Sequence, residues 1–290
     1  MLTFSVAPQL VAEAFIFACE AELQAPKPGN VHVFASGHGM APQDFIESAR
    51  AAAPFIADQT LTVGAKILAA TQATWAAVGQ NTNLGIILLC APLAQAALNA
   101  TTADLRLETS ELMKTLGLDD ARDAFQAIRL ANPAGLAAST KDDVRAPAQT
   151  TLTAAMTLAA PRDRIAYQYA NEFCDIFDLG LNSLERARQE SQDEILSTLT
   201  VYLTFLSSFP DSHVARKYGA DAAQRVLSEA RSFAAQFSSA SRTQRIAAAL
   251  KWDATLKRKR LNPGTSADLT VATLFADKLA QSLANGAKNG

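Results

Sequence analysis

Lys27-Pro28-Gly29-Asn30, with His32 just beyond and His38-Gly39-Met40 after it, puts a cation, two imidazoles and pliable backbone into one polar stretch. Three polar knots lie far along the chain: Asn81-Thr82-Asn83, Asp211-Ser212-His213, and Thr265-Ser266-Ala267-Asp268 preceded by Gly264. Each sets small oxygen acceptors directly before a helical pattern, and two readings follow. Taken singly, such residues cap helices by accepting orphan backbone N–H groups; Thr265 with Asp268 imitates a capping box with Asp in place of Glu. Taken together, several helix N-termini with Lys27 beside them would make a polyphosphate site. Carboxylates and Asn oxygens there suit Mg²⁺, which usually bridges protein and substrate phosphates.

The chain has three histidines, His32, His38 and His213, and all of them fall in these stretches. Ordinary loop residues, general acid–base groups and a His-bound transition metal are the readings open to them. There is no HExxH or other compact metal spacing. The run Lys257-Arg258-Lys259-Arg260 ends a helical pattern, where cations complement the macrodipole. It reads as a solvated face that could also flank an anionic substrate, since Asn262-Pro263-Gly264 follows.

Helices must position these groups. Gln9–Leu23 shows a stripe of Leu10, Ala14, Phe17 and Ala18, with Glu13, Glu20 and Glu22 off it. Pro26 and Pro28 stop that helix, and Pro42 opens the next. Thr62–Val78 follows, and then Leu84–Asn99 is apolar on nearly all sides, as befits the centre of a bundle. Shorter amphipathic helices cover 105–116 and 119–130. A connection opening at Asn132-Pro133 and carrying Lys141-Asp142-Asp143 leads to helices over 150–158, 162–177, 181–189 and 194–206. The segments 220–237 and 243–256 read as surface helices, and a final apolar helix runs from the Asn262–Ser266 turn to Leu283. Trp75, Trp252 and the phenylalanines sit at helical spacing and read as core. The last six residues, 285–290, are expected to fray. With no alternating strand pattern, the expected fold is all-α: one domain over 1–290, a multi-helix bundle around a central apolar helix at about 84–99.

Composition narrows the function. Of 290 residues, 49% are hydrophobic and 19% charged, with a formal charge of −2, which gives no reason to expect nucleic acid or an anionic membrane as partner. Cys19, Cys90 and Cys174 are widely spaced in apolar context and read as buried thiols in a reducing compartment. The first residues lack a basic n-region and a long apolar run, so the cytoplasm is the expected location. Small-molecule partners fit best, with room for a homo-oligomer.

Lys27-Pro28-Gly29, His38-Gly39-Met40, Asn81-Thr82-Asn83-Leu84-Gly85, Asp211-Ser212-His213 and Asn262-Pro263-Gly264-Thr265-Ser266-Ala267-Asp268-Leu269 occur in that order. On these motifs, spread over nearly the whole chain, the sequence resembles the triphosphoribosyl-dephospho-CoA synthase family. The resemblance implies an all-helical transferase that moves the triphosphoribosyl group of ATP onto 3′-dephospho-CoA and releases adenine. It implies that Lys27, the backbone around Gly29 and Gly264, and Ser266 hold phosphates, with Asn30, His32, Asn83 and Thr265 in the same binding set. Asp211 and Asp268 would hold Mg²⁺ or act as base, with His38 and His213 as further catalytic candidates. Asn81 and Thr82 would orient a ribose or phosphate. The motifs also depart from the family: His32 stands for an acid, Leu84 for a lysine and His213 for an asparagine. That pattern is similar to a divergent branch of C1-metabolising organisms. It adds two alternatives, synthesis of a pterin- or furan-type C1-carrier cofactor and non-catalytic nucleotide or cofactor binding.

Overall fold

Leu84–Leu98 forms a helix in which every residue except Gly85 is buried, as its lack of a polar face demands. It is the fourth helix in a computed structural model of the chain, which describes residues 4–132, 146–237 and 240–288. Before it come α1 (Pro8–Gln24), α2 (Pro42–Ile56) and α3 (Val63–Val78). The central helix, α4, is followed by α5 (Leu105–Met113), α6 (Leu118–Ala131), α7 (Leu152–Ala159) and α8 (Arg164–Ala170). A π-helical turn over Asp175–Gly180 leads into α9 (Leu181–Glu190) and α10 (Glu194–Ser208). The chain closes with α11 (Ser212–Tyr218), α12 (Ala220–Phe237), α13 (Arg242–Arg258) and α14 (Gly264–Lys288). Among the described residues there is no strand, only the isolated bridges His32–Ala35 and Gly37–Met40. The connection carrying Lys141-Asp142-Asp143 lies outside the described residues.

Local chemistry explains the boundaries. The Thr62 hydroxyl accepts the Ala65 N–H to open α3, and Gly79 closes it in the left-handed conformation. Asp104, Thr151, Asp163, Asp193 and Ser241 cap α5, α7, α8, α10 and α13 through their side chains. Pro92 lies inside α4 and has no N–H for the carbonyl of Leu88. That carbonyl is instead satisfied by the Tyr169 hydroxyl at 2.6 Å, which ties α8 to the central helix.

Helices α14, α5, α3, α1, α2, α6 and α8 all pack on α4. Their apolar faces make the main core, and a second core gathers α10, α11, α12 and α13 around Tyr202, Leu203, Val214, Val226 and Leu256. The first turns of α14 cross from one to the other, with Ala267 in the second core and Leu269 in the first. The polar motifs lie along that seam.

Several local expectations are corrected. The buried face of α1 is Val11, Ala14, Phe15, Ala18, Cys19, Glu22 and Leu23, while Leu10 and Phe17 are exposed. In so Ala-rich a helix the pattern fixes the phase poorly, and Glu22 turns inward to meet Lys27. The expected helix over 162–177 breaks after Ala170, where Glu172 and Phe173 take positive φ values of 51° and 58° before the π turn. The buried Phe173 packs its ring 5.6 Å from that of Tyr169, so tertiary contacts hold a backbone that a bulky residue otherwise avoids. Trp75 is exposed rather than core. Helix α14 runs on to Lys288, across part of the tail expected to fray.

Candidate functional site

The loop between α1 and α2 is built from turns that its glycines permit. Gly29 adopts φ 84°, and a side chain there would strike the Leu261 carbonyl and Pro263 Cδ, both 2.8 Å from its Cβ position. Further on, His38 (φ 58°) and Gly39 (φ 80°) are the two left-handed residues of a tight turn closed between Gly37 and Met40, the dihedral signature of a type I′ hairpin. The His38 Nε2–H donates to the Gly29 carbonyl at 2.8 Å, so this turn folds back over the first.

The motifs at the two ends of the chain meet here. Asn30 Nδ2 donates to Asn262 Oδ1 at 2.9 Å, across 232 positions. The Gly29 N–H donates to Asp253 Oδ1 at 2.9 Å, and the Tyr202 hydroxyl donates to the Pro28 carbonyl at 2.7 Å. His32 is fully buried with Nε2 3.2 Å from Asp253 Oδ2. Burial holds the imidazoles of His32 and His38 below their ordinary range, with Lys257 acting in the same sense on both.

Lys27 does not face a ligand cleft. It is fully buried, its Nζ 3.1 Å from Glu22 Oε1 and donating to the carbonyls of Glu22 and Val31 at 2.8 Å each. Burial pushes the Lys27 ammonium down and the Glu22 carboxyl up, and each partner pulls the other back. In this structure Lys27 is a strut that closes the end of α1, which changes its expected place as a phosphate cation.

Asp211 is likewise committed. Its Oδ1 accepts the N–H groups of His213 and Val214, at 3.0 and 3.1 Å. Its Oδ2 accepts both the N–H and the hydroxyl of Ser266, at 2.8 and 2.9 Å. One carboxylate thereby caps α11 and seats the start of α14, leaving no lone pair aimed elsewhere. This corrects two expectations: Asp211 is not free to hold Mg²⁺, and Ser266 spends both its donors on Asp211 rather than on phosphate. Thr265 accepts the His213 N–H through its hydroxyl at 3.2 Å, and no capping box to Asp268 forms. Gly264 leaves room for the His213 ring, whose Nδ1 lies 2.5 Å from the Cβ position. Burial, with Arg216, Lys217 and His38 nearby, drives the His213 imidazole down to about 4.

Asp268 differs from Asp211. It keeps part of its surface open and has no hydrogen-bond partner among the described residues. Burial, together with the charges of Asp211 and Glu22, lifts its carboxyl well above the usual range. It rests against Gly85 in the first turn of α4, its Oδ2 2.1 Å from the Cβ position there, with Ile165 Cδ1 at 2.8 Å. Any side chain at position 85 would displace it.

The Asn81–Asn83 knot therefore reaches the same place. Asn81 Oδ1 accepts the Leu84 N–H at 3.2 Å, and Thr82 is buried with its hydroxyl 2.6 Å from that of Ser48. Asn83 makes no cap hydrogen bond and its buried Nδ2 has no partner. The N–H groups of Gly85 and Ile86 have no acceptor among the described residues. Leu84, where the resemblance expects lysine, is buried in the main core.

Sequence reasoning passed over Glu22, Tyr202 and Asp253. Glu22 lies off the stripe that the sequence pattern predicts as buried, and Asp253 sits in a charged helix that reads as surface. The one signal for Asp253 is its i,i+4 spacing from Lys257, and the two stand 3.0 Å apart. Among the described residues no group of three or more His, Cys, Asp or Glu side chains is arranged to hold a metal ion. A pocket lined by Arg188, Glu185 and Asp277 includes none of the motif residues.

The comparisons bear on the family and on the all-helical fold. The sequence profile of the CitG family, ATP:dephospho-CoA triphosphoribosyl transferase, matches residues 8–286, and the chain belongs to that family. The fold is similar to the crystal structure of an Archaeoglobus fulgidus protein provisionally named a triphosphoribosyl-dephospho-CoA synthase. The TM-score is 0.62 at 23% identity, over 81% of this chain and 97% of that one. No curated protein matches the chain in sequence. No helix of the described residues is long and apolar enough to cross a membrane.

Proposed function

We propose that the protein transfers the triphosphoribosyl group of ATP to a ribose hydroxyl of 3′-dephospho-CoA. The C1′–N9 bond of ATP breaks, a C1′–O bond to the acceptor forms, and the acceptor's hydroxyl proton is balanced by the one adenine takes on leaving. Family membership supports the reaction class. The observation that carries the site is Asp268, an unbonded, part-open carboxyl against Gly85 where α4 and α14 begin. With its carboxyl lifted well above the usual range, it can give a proton to departing adenine in its protonated form and take one from the acceptor in its ionised form.

The triphosphate lies best against the open end of α4, where the Gly85 and Ile86 N–H groups and the Asn83 amide lack partners. His38 and His213, neutral at pH 7, serve as hydrogen-bonding groups rather than fixed cations. Of the two motif carboxylates only Asp268 has lone pairs free, so the donors fit a Mg²⁺ carried in by the triphosphate rather than a preformed cage. Bound that way, Mg²⁺ would neutralise charge on the phosphate oxygens.

The test is product analysis. With ATP, Mg²⁺ and dephospho-CoA the protein should release free adenine in step with a heavier CoA product. Asp268→Asn should cut that rate by about 10²–10⁴-fold. No adenine from the wild type would remove this reading, and adenine released only with a pterin- or furan-type acceptor would move it to C1-carrier synthesis.

A further inference from the structure

We infer that Asp253 and Lys257, one turn apart on α13, form a clamp that positions the His38 turn of the loop over the site. The inference rests on the proposed transferase reading only for its kinetic consequence.

The clamp has two arms. Asp253 is buried and holds the Gly29 N–H at 2.9 Å, at the left-handed residue on which the loop reverses. Lys257 Nζ donates to the Ala35 carbonyl at 3.0 Å, at the far side of the His32–Ala35 bridge. The arms are tied together, since Lys257 Nζ also lies 3.0 Å from Asp253 Oδ2. Gly37 lets the lysine stem through, its Cβ position lying 2.9 Å from Lys257 Cε. Because the Gly29 carbonyl accepts from His38, whatever fixes Gly29 fixes that ring. His32, with Nε2 3.2 Å from Asp253 and no other partner, fills the space inside the clamp.

Nothing else on α13 is buried in this way. Of its seventeen residues only Ala249, Asp253 and Leu256 are buried, and Asp253 is the polar one. A carboxylate taken out of water needs its donors, and here each is a loop atom or a side chain that itself holds the loop. Asp253 is thus a positioning residue, acting through Gly29 on His38.

Three variants test the clamp. Asp253→Ala removes the Gly29 acceptor and frees Lys257; Asp253→Asn keeps an oxygen for the Gly29 N–H; Lys257→Met removes only the second arm. Hydrogen exchange across 28–40 should rise at least tenfold in Asp253→Ala and in Lys257→Met, while Asp253→Asn keeps Gly29 protected. With only three histidines to assign, the His38 ring can be followed by NMR. In Asp253→Ala it should titrate closer to a free imidazole, at about 6.5. The groups around it, Lys217 on α11 with Lys257 and Asp253 on α13, are left in place by one variant or another. Adenine release should lose at least tenfold in kcat with KM for ATP within twofold, and Asp253→Asn should restore most of it. If Asp253→Ala does not fold, Lys257→Met carries the exchange test alone. Unchanged exchange over 28–40 and an unmoved His38 ring would overturn the clamp. Wild-type protein that releases no adenine yet shows the exchange pattern would overturn the transferase reading and leave the clamp standing.

Discussion

Asp211 and Ser266, 55 positions apart, are joined twice through a single carboxylate oxygen, which takes the serine's backbone N–H at 2.8 Å and its hydroxyl at 2.9 Å. The two motif aspartates thereby divide their labour: Asp211 holds helices in place, and Asp268 is left open.

That division predicts opposite phenotypes. Asp211→Ala orphans the N–H groups of Val214 and Ser266, leaves that of His213 to Thr265 alone, and should cost about 3–5 kcal/mol in urea unfolding. Asp268→Asn removes a carboxyl that is costly to ionise and should leave stability at pH 7 equal or higher while adenine release collapses. For Asp268 the folded value lies above the unfolded one, so its contribution is fully present below the unfolded value of 3.8 and is lost as pH rises through the folded one. Unfolding curves of the two variants between pH 4 and 8 check both statements.

Lys27 gives the second prediction. Lys27→Met strands Glu22 in the interior and should destabilise by about 3–5 kcal/mol, whereas Glu22→Leu with Lys27→Met should recover most of that loss. A protein that needed Lys27 chiefly as a phosphate ligand would show the reverse, with a stable single variant that binds ATP weakly. Urea midpoints and ATP titration of both variants decide it.

The third concerns acid. His213 has a folded value of about 4 against 6.5 for an ordinary imidazole. Its stabilising share is therefore complete above pH 6.5 and drains as pH falls towards 4, by about 3 kcal/mol in all. His32 and His38 act in the same direction, and Glu22, Asp211 and Asp268 in the opposite one. The readout is accordingly a difference: the stability of wild type minus that of His213→Gln should rise between pH 4 and 6.5 and stay level on the alkaline side.

Much of this was legible in the residues. Leu84–Leu98 had to be central because it offers no wet face, and Pro26, Pro28 and the glycines had to interrupt the bundle. The loop after Lys27 and the turn before α14 share the same Pro/Gly punctuation, and Gly29 and Asn30 do touch Leu261, Asn262 and Pro263. What stayed hidden depends on contacts between distant segments. The phase of α1 hinges on whether Glu22 has a buried cation to meet, and that cation sits beyond Pro26, outside the helix. The break after Ala170 carries no Gly or Pro; Tyr169 and the Leu88 carbonyl anchor the helix just before it. Asp211 looked like a one-helix cap, since nothing local shows that Ser266 would take its second oxygen.

Gly29 packs its bare Cα against the Leu261 carbonyl and the Pro263 ring. A segment made near the start of synthesis therefore finds its seat only after position 263 has left the ribosome. Until then the first forty residues have no Asp253, Asn262 or Pro263 to lean on. The loop is seated last, and a product that stops short of position 253 would leave it unheld.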